Sequence, residues 1–394
     1  MPALRYDIFC KVVDNYGDAG VSWRLARQLV REHSVSVTLR IDALASLAKI
    51  AEGIDPSHDV QVSAGVRVRA WNEPFRHPEQ REGVASEERG IDLPDVVIEA
   101  FGCGLPDEYV EAMAASTRAP VWINLEYLSA EPWVESAHAL PSPQPRLPLT
   151  RYFYFPGFTD RTGGLLREAG LIEARQRAQA DPTAGDAVWE KLGVAAPRDG
   201  LIVSLFCYAN PALPPLLDAW AEGDEPVLCL VPEGVATPSL DIWTGGDVPH
   251  AGQSITRGRL TLTTLPFVAQ DDYDRLLWQC DLNFVRGEDS FVRAQWAVRP
   301  FVWHIYPQTD DAHRVKLEEF LRRFEVGLDP AAAEAANRFW LAFNDRRPDE
   351  AALAWPAFRA ALRSLSDHGA RWGDRMARQR DLASGLVEFC ESRL

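Results

Sequence analysis

The sequence predicts an α/β protein of two Rossmann-like, doubly wound domains that face each other across a cleft, with a helical C-terminal tail. Three observations predict this architecture. The chain has 394 residues, too many for one ordinary domain. Strand-like apolar runs alternate with helix-like amphipathic patterns, and this alternation restarts once. Two carboxylate-rich loops, one in each half of the chain, each stand between such a strand and such a helix, where α/β folds bind ligands.

The first half predicts a mostly parallel sheet, because its strands alternate with helices as in βαβ units. The predicted strands are residues 6–13, 35–41, 66–71, 96–101, 121–125 and 152–155. The predicted helices are residues 21–32, 43–51 and 107–116. The Pro-rich segment 140–148 indicates an irregular loop.

The pattern restarts after the polar stretch 175–186, which is the candidate boundary between domains. The predicted strands that follow are residues 201–208, 227–231, 260–265, 282–285 and 301–303, and the predicted helices are 214–222, 271–279, 291–297 and 311–324. Residues 331–394 are helical by periodicity. Two such domains and a helical tail form the layout of GT-B glycosyltransferases, although paired Rossmann-like domains also occur in dehydrogenases and binding proteins.

Composition narrows the functional class. Lys and Arg number 41 against 57 Asp and Glu, a net charge of −16, which argues against nonspecific binding to nucleic acid or acidic lipid and is compatible with a cationic partner. Solubility alone would also explain the charge.

The six cysteines are scattered without CxxC spacing, which indicates buried thiols rather than disulfides or a zinc site. The first residues have no signal-peptide core and no apolar run reaches membrane-spanning length, so we expect a cytoplasmic protein.

The first carboxylate-rich loop, residues 14–20 (DNYGDAG), follows the predicted strand 6–13. Its glycines allow close backbone approach, and the next helix start can face an anion or a sugar. The dinucleotide fingerprint Gly-x-Gly-x-x-Gly is missing, since Asn15 and Tyr16 occupy the turn, which disfavours nicotinamide chemistry. Asp14 could merely end the strand and Asp18 merely cap the helix. Two carboxylates around a glycine turn at a sheet edge are equally consistent with a site.

The second loop, residues 286–291 (RGEDSF), combines a cation, two carboxylates and a hydroxyl ahead of a predicted helix. Ser290 could be only a helix cap, and Arg286 only the partner of Glu288. The functional interpretation is a nucleotide-sugar diphosphate site, in which backbone N–H groups and Ser290 bind phosphate oxygens and a carboxylate holds sugar hydroxyls.

Aromatic residues end two other strands of the second half. Phe206 and Tyr208 end one, and Phe267 and Gln270 follow another. Such rings can sandwich a base and Gln270 can bond a pyrimidine edge, although each ring alone is more typical of a core.

Residues 272–274 (DYD) formally match the DxD metal motif of another glycosyltransferase class. They stand at a predicted helix start, where acidic residues favour the helix dipole, so we interpret them as helix-start residues and expect no metal site. On this interpretation, replacing either aspartate would cost about 0.3–1 kcal/mol of stability.

Taken with both loops, the sequence resembles the EarP family of protein-arginine rhamnosyltransferases. The resemblance runs essentially end to end, and the segments that carry it are residues 8–27 (IFCKVVDNYGDAGVSWRLAR), 99–103 (EAFGC), 124–128 (NLEYL) and 286–296 (RGEDSFVRAQW). It implies an inverting, metal-independent GT-B enzyme without a cofactor. The implied substrates are dTDP-β-L-rhamnose and an arginine of elongation factor P, whose modification helps rescue ribosomes stalled at polyproline.

The resemblance also implies domains and roles. Residues 1–180, completed by a helix in 370–394, would bind the acceptor, and residues 186–369 would bind the nucleotide sugar. Asp18 would be the general base, Asp14 its acceptor-side partner and Glu288 the second catalytic position. The implied sugar-donor site comprises Asn15, Tyr16, Gly17, Phe206, Tyr208, Phe267, Gln270, Arg286, Gly287, Asp289 and Ser290.

Three alternatives remain open at this point. One is a noncatalytic nucleotide-sugar-binding protein that keeps the fold, and another is a GT-B glycosyltransferase with a different acceptor. The third is a nicotinamide oxidoreductase, which the missing fingerprint disfavours.

Overall fold

The computed structural model describes residues 3–14, 16–71, 92–195, 199–308 and 311–394. The chain divides into two compact units. The first comprises residues 1–169 and 379–394, and the second comprises residues 170–378.

The first unit contains a sheet that is parallel except at its two edges. In the described residues its strands are β1 (Arg5–Cys10), β2 (Ser36–Ile41), β3 (Val60–Ser63), β4 (Val66–Ala70), β5 (Val96–Ala100), β6 (Val121–Leu125), β7 (Pro141–Pro143) and β8 (Thr150–Tyr154). Their order is β3-β4-β2-β1-β5-β6-β8-β7, with only the outermost pairs antiparallel. Every residue of β5 and β6 is buried, which is typical of central strands covered on both faces.

The helices of the first unit cover this sheet. They are α1 (Gly17–His33), α2 (Leu44–Ile50), α3 (Asp107–Ala115) and α4 (Val134–Ala137). Helix α14 (Leu382–Glu391) joins them from the far end of the chain. The Gln28 amide in α1 donates to the Asp381 carboxylate, 3.0 Å away, at the start of α14. Gly164 permits this closure, because a Cβ there would lie 2.2 Å from the carbonyl oxygen of Arg380.

The second unit is built around a smaller sheet. Its strands are β9 (Leu201–Leu205), β10 (Val227–Pro232), β11 (Ser254–Arg257), β12 (Leu260–Leu265), β13 (Leu282–Arg286) and β14 (Phe301–His304), in the order β11-β12-β10-β9-β13-β14. Its helices are α5 (Leu171–Ala180), α6 (Pro182–Leu192), α7 (Leu213–Ala221), α8 (Thr237–Thr244), α9 (Gln270–Gln279), α10 (Asp289–Ala297), α11 (Ala312–Phe324), α12 (Pro330–Asn344) and α13 (Pro348–Ala377).

Each sheet reverses direction once. In the first unit the chain adds β2 and β4 on one side of β1, and then β5, β6 and β8 on the other side. In the second unit it adds β10 and β12 beside β9, and then β13 and β14 on the other side. Doubly wound sheets bind ligands at the carboxyl ends of the strands where the order reverses. Candidate sites are therefore expected beyond β1 and β5, and beyond β9 and β13.

The structure also departs from the sequence-based elements. The segment 140–148 was predicted to be irregular, but Pro141–Pro143 forms the edge strand β7. Prolines are tolerated at an edge because only one side needs ladder hydrogen bonds. The strands β3 and β11 were missed. The polar stretch 175–186 lies within helices α5 and α6, and the units divide at residue 170 instead.

Among the residues with described structure, no helix is both long enough and apolar enough to cross a membrane.

Candidate active site

The loop after β1 holds the two carboxylates of the first motif. Asp14 and Asp18 are 8% and 2% exposed. The Asp18 Oδ2 atom accepts the backbone N–H of Val13 at 2.7 Å and that of Asp14 at 3.0 Å. Asp18 therefore closes the loop that precedes α1, and its carboxylate is fixed to that loop. Of the two alternatives for Asp18, the structure does not show the helix cap.

The glycine of this turn makes room for a carboxylate. The Gly17 N–H donates to the carbonyl oxygen of Asp14 at 2.6 Å, which closes a tight turn. A Cβ at position 17 would lie only 2.7 Å from the Asp14 Oδ2 atom. Tyr16 precedes the helix and lies beside Lys49, whose Nζ is 5.9 Å from the ring centroid. Asn15, which was also predicted to belong to the sugar-donor site, lies outside the described residues.

Two residues that sequence reasoning did not single out, Tyr127 and Phe101, form a series of contacts that begins at Asp18. The hydroxyl of Tyr127 donates to Asp18 Oδ1 at 3.1 Å. The Tyr127 ring stacks on Phe101, with 4.4 Å between centroids and 15° between planes. The sequence did carry a signal for both residues, because both lie in segments that carry the family resemblance. In the sheet order β1-β5-β6, Phe101 follows β5 and Tyr127 follows β6.

In the second unit, the aromatic residues and the cation come together. The guanidinium of Arg286, at the end of β13, lies 4.6 Å from the ring centroid of Phe206 and 4.8 Å from that of Tyr208, both beyond β9. Phe267 lies 6.3 Å from Phe206 between centroids. All three rings are partly exposed, whereas a core ring would be buried. This arrangement presents aromatic faces and one cation at the predicted switch point.

The turn after β13 is fixed by its own side chains. The Ser290 hydroxyl accepts the Arg286 N–H at 3.0 Å and donates to the Arg286 carbonyl oxygen at 2.5 Å. Ser290 therefore closes the turn and does not cap α10, which begins one residue earlier. Gly287 has a φ of +58°, and its carbonyl oxygen accepts the Trp303 indole N–H.

The two acidic residues of this turn, Glu288 and Asp289, make different contacts. Asp289 accepts the side-chain N–H of Gln270 at 2.9 Å, which joins the start of α9 to the start of α10. Glu288 is the residue just before α10, and its carbonyl oxygen accepts the Val292 N–H. Glu288 belongs to the second unit, whereas Asp14 and Asp18 belong to the first.

Two buried titratable groups near the predicted sugar-donor residues, His304 and Cys207, are held neutral. Burial, with a smaller contribution from the Arg286 guanidinium, lowers the pKa of His304 from 6.5 to about 3. Its Nδ1 atom accepts the Tyr208 backbone N–H. Burial raises the pKa of the Cys207 thiol to about 12, although Arg286 opposes this shift. Neither group therefore adds a charge beside the Arg286 guanidinium.

The two aspartates of the motif 272–274 form ion pairs with basic side chains of the protein. Asp272 pairs with Lys191 and Arg275, at 2.5 and 3.0 Å. Asp274 forms two hydrogen bonds with the buried guanidinium of Arg293. These carboxylates have partners other than a metal ion.

Comparisons with known proteins identify the family of this chain. The family model described as elongation factor P (EF-P) rhamnosyltransferase EarP matches residues 6–391. The chain belongs to the EarP family. It is 49% identical over 389 residues to a protein-arginine rhamnosyltransferase of Pseudomonas putida, covering 99% of each chain. It is 47% identical to the protein of that name from Pseudomonas aeruginosa, covering 98% of each. The predicted resemblance is confirmed.

Solved structures support the fold. A structure described as the structural basis for EarP-mediated arginine glycosylation of translation elongation factor EF-P superimposes with a TM-score of 0.69 at 37% identity, covering 99% of this chain and 100% of that one. MurG from Acinetobacter baumannii has a TM-score of 0.50 at 10% identity, covering 99% of this chain and 100% of its own, a likeness of fold alone. The predicted GT-B fold class is confirmed. The roles assigned to individual residues remain predictions.

Proposed function

We propose that this protein is a protein-arginine rhamnosyltransferase that transfers L-rhamnose from dTDP-β-L-rhamnose to an arginine of elongation factor P, with inversion at the sugar. The observation that carries the proposal is the 49% identity to the P. putida protein-arginine rhamnosyltransferase along 99% of both chains. The modified factor would then act on ribosomes stalled at polyproline. We place the reaction in the cytoplasm, where a reducing environment suits the six free cysteines.

The acceptor explains the need for a fixed carboxylate. A guanidinium has a pKa above 12 and a delocalised lone pair, so it is a poor nucleophile and a carboxylate cannot deprotonate it in advance. As its nitrogen bonds to the anomeric carbon, that nitrogen loses conjugation and its proton becomes acidic. Asp18 accepts this proton while the bond from carbon to the diphosphate oxygen breaks. Asp14 pairs with the guanidinium and orients it, because a carboxylate matches its fork of N–H groups.

The leaving group explains the second unit. The departing dTDP carries growing negative charge, which a preorganised cation and N–H groups stabilise best. Arg286 supplies the cation, and the amides at the start of α10 supply N–H groups. The partly exposed rings of Phe206, Tyr208 and Phe267 provide stacking surfaces for the base. Glu288 serves as the second catalytic carboxylate. No cofactor or metal is required by this scheme.

The net charge of −16 fits a basic acceptor surface, since complementary charge steers association and fixes orientation.

The test is intact-mass analysis of elongation factor P incubated with the protein and dTDP-β-L-rhamnose. We expect one added deoxyhexose, located on an arginine by fragmentation. Factor in which that arginine is replaced by lysine, and reactions with dTDP-glucose, serve as controls. Binding of dTDP without sugar transfer to any acceptor would favour the noncatalytic alternative, and transfer to a different protein would change the acceptor.

A further inference from the structure

Both oxygens of the Asp18 carboxylate have fixed hydrogen-bond partners. Oδ2 accepts the N–H groups of Val13 and Asp14 from its own loop. Oδ1 accepts the hydroxyl of Tyr127, which stands just beyond β6, 109 residues away along the chain. The local loop therefore fixes one oxygen, and a distant side chain of the same unit fixes the other.

Tyr127 has a second contact besides its hydrogen bond to Asp18. Its ring stacks on Phe101, and both rings are only partly buried, so they are not part of the core of the unit. Phe101 has a φ of +59°, in the left-handed region, which is unfavourable for a bulky residue. Gly102 and Gly104 also have positive φ values, of +62° and +74°.

The structure around this loop maintains its unfavourable backbone. The Phe101 N–H donates to the carbonyl oxygen of Leu125 at 2.7 Å. The Gly102 N–H donates to Asn124 Oδ1 at 3.1 Å, and the Gly104 N–H donates to Glu99 Oε1 at 2.9 Å. Unfavourable backbone persists where its surroundings over-determine it, and such positions concentrate at functional sites. Here the result is a stacking platform for Tyr127.

We propose that Tyr127 is a positioning residue, which acts through Asp18 by holding its carboxylate in the orientation that receives the arginine proton. This inference rests on the proposed function. A phenol suits the task because it is neutral: it orients the carboxylate without cancelling its charge, as a lysine or arginine would. Phe101 supports Tyr127 through the stacked ring.

The experiment compares two matched variants. Tyr127→Phe keeps the ring and the stack but removes the hydroxyl from Asp18. Tyr109→Phe is the control, because Tyr109 also donates its hydroxyl to an aspartate, Asp7, at 3.0 Å in the same unit. We expect Tyr127→Phe to lower kcat about 10- to 100-fold, as small misplacements of reacting groups do, with the KM for dTDP-rhamnose unchanged. Tyr109→Phe should retain wild-type kcat.

A second measurement does not depend on turnover. In protein labelled with ¹³C at the aspartate side-chain carbon, the Asp18 resonance is identified by its loss in Asp18→Asn. We expect it to shift in Tyr127→Phe and to stay in place in Tyr109→Phe. An unmoved resonance, or a kcat within twofold of wild type, would overturn the proposal. If wild-type protein transferred no rhamnose, the proposed function would fail, and the resonance alone would then decide whether Tyr127 positions Asp18.

Discussion

Asp274 and Arg293 form a bidentate ion pair in the interior of the second unit, with N–O distances of 3.0 and 2.6 Å. Their side chains are 6% and 2% exposed. The aspartate that formally ends a metal-binding motif thus neutralises a buried arginine, which the sequence pattern did not reveal.

The first prediction concerns this pair. Asp274→Ala leaves a buried guanidinium uncompensated, so we expect a loss of about 3–5 kcal/mol in the free energy of unfolding, which urea titration would measure. This corrects the smaller effect expected from a helix-start position. Asp272→Ala is the matched control, since its partners Lys191 and Arg275 are both 55% exposed, and it should cost about 1 kcal/mol or less. Equal losses in both variants would contradict the assignment.

The second prediction concerns the base. Asp18→Asn keeps an oxygen for the Val13 and Asp14 N–H groups, so the loop should remain folded. It removes the proton acceptor, and we expect the turnover rate to fall about 10²–10⁴-fold. The affinity for dTDP, measured by calorimetry, should not change, because the predicted nucleotide pocket is built from the other unit. Turnover near that of wild type would remove Asp18 from the mechanism.

The third prediction concerns the nucleotide pocket. Tyr208→Ala and Phe267→Ala should each weaken dTDP binding by about 1–3 kcal/mol, through the loss of ring stacking on the base. Calorimetry gives the affinity, and thermal melting confirms that each variant is folded. Tyr152→Ala, in the first unit, is a control that should leave dTDP affinity unchanged. Unaltered affinity in folded Tyr208 and Phe267 variants would assign these rings to packing.

The fourth prediction concerns charge compensation at the leaving group. Because Arg286 supplies the positive charge and Asp272 and Asp274 are already ion-paired, EDTA should leave the turnover rate intact. Arg286→Ala should impair turnover by at least about 10²-fold, as the loss of one transition-state donor does, with or without added magnesium. Activity that disappears in EDTA and returns with magnesium would contradict the metal-free scheme.

The fifth prediction concerns pH. The pKa of His304 is about 3 in the folded protein, below the ordinary value of 6.5 that applies in the unfolded chain. Between these two pH values the unfolded chain therefore binds one more proton than the folded protein. Stability should therefore decrease as the pH falls below 6.5, by up to about 1.4 kcal/mol per pH unit from this group. His304→Asn keeps an acceptor for the Tyr208 N–H but cannot be protonated, so its unfolding free energy should decline less steeply. Identical slopes would show that His304 is not responsible.

The sequence predicted the central strands and helices because their signals are local. Strands such as Val121–Leu125 are rich in apolar residues and are buried along their whole length. The edge strands Val60–Ser63 and Ser254–Arg257 were missed because each has only 4 residues and is largely exposed, so neither carries a long apolar run. Each is held by antiparallel pairing with the strand that directly follows it in the chain, β4 or β12.

The candidate site likewise contains residues that the local sequence reveals and contacts that it does not. Asp14, Asp18 and Arg286 could be chosen because each stands in an unusual loop between a strand and a helix. The contact of Tyr127 with Asp18 could not be predicted, since it depends on β5 lying between β1 and β6 in the sheet, so that the segment after β6 reaches the loop after β1. The pairing of Asp274 with Arg293 likewise requires α9 and α10 to pack together.

The return of residues 379–394 to the first unit has a consequence for biosynthesis. Helix α14 buries Leu382, Leu386 and Cys390 and meets α1 through Gln28, yet the ribosome makes it only after the whole of residues 170–378. At about 5–20 residues per second, that interval is on the order of ten to forty seconds. During this time α1, which carries Asp18, lacks one of its packing partners. The unit whose synthesis begins first is therefore completed last. Until then, the apolar surface that α14 will cover is exposed, and chaperones can bind it.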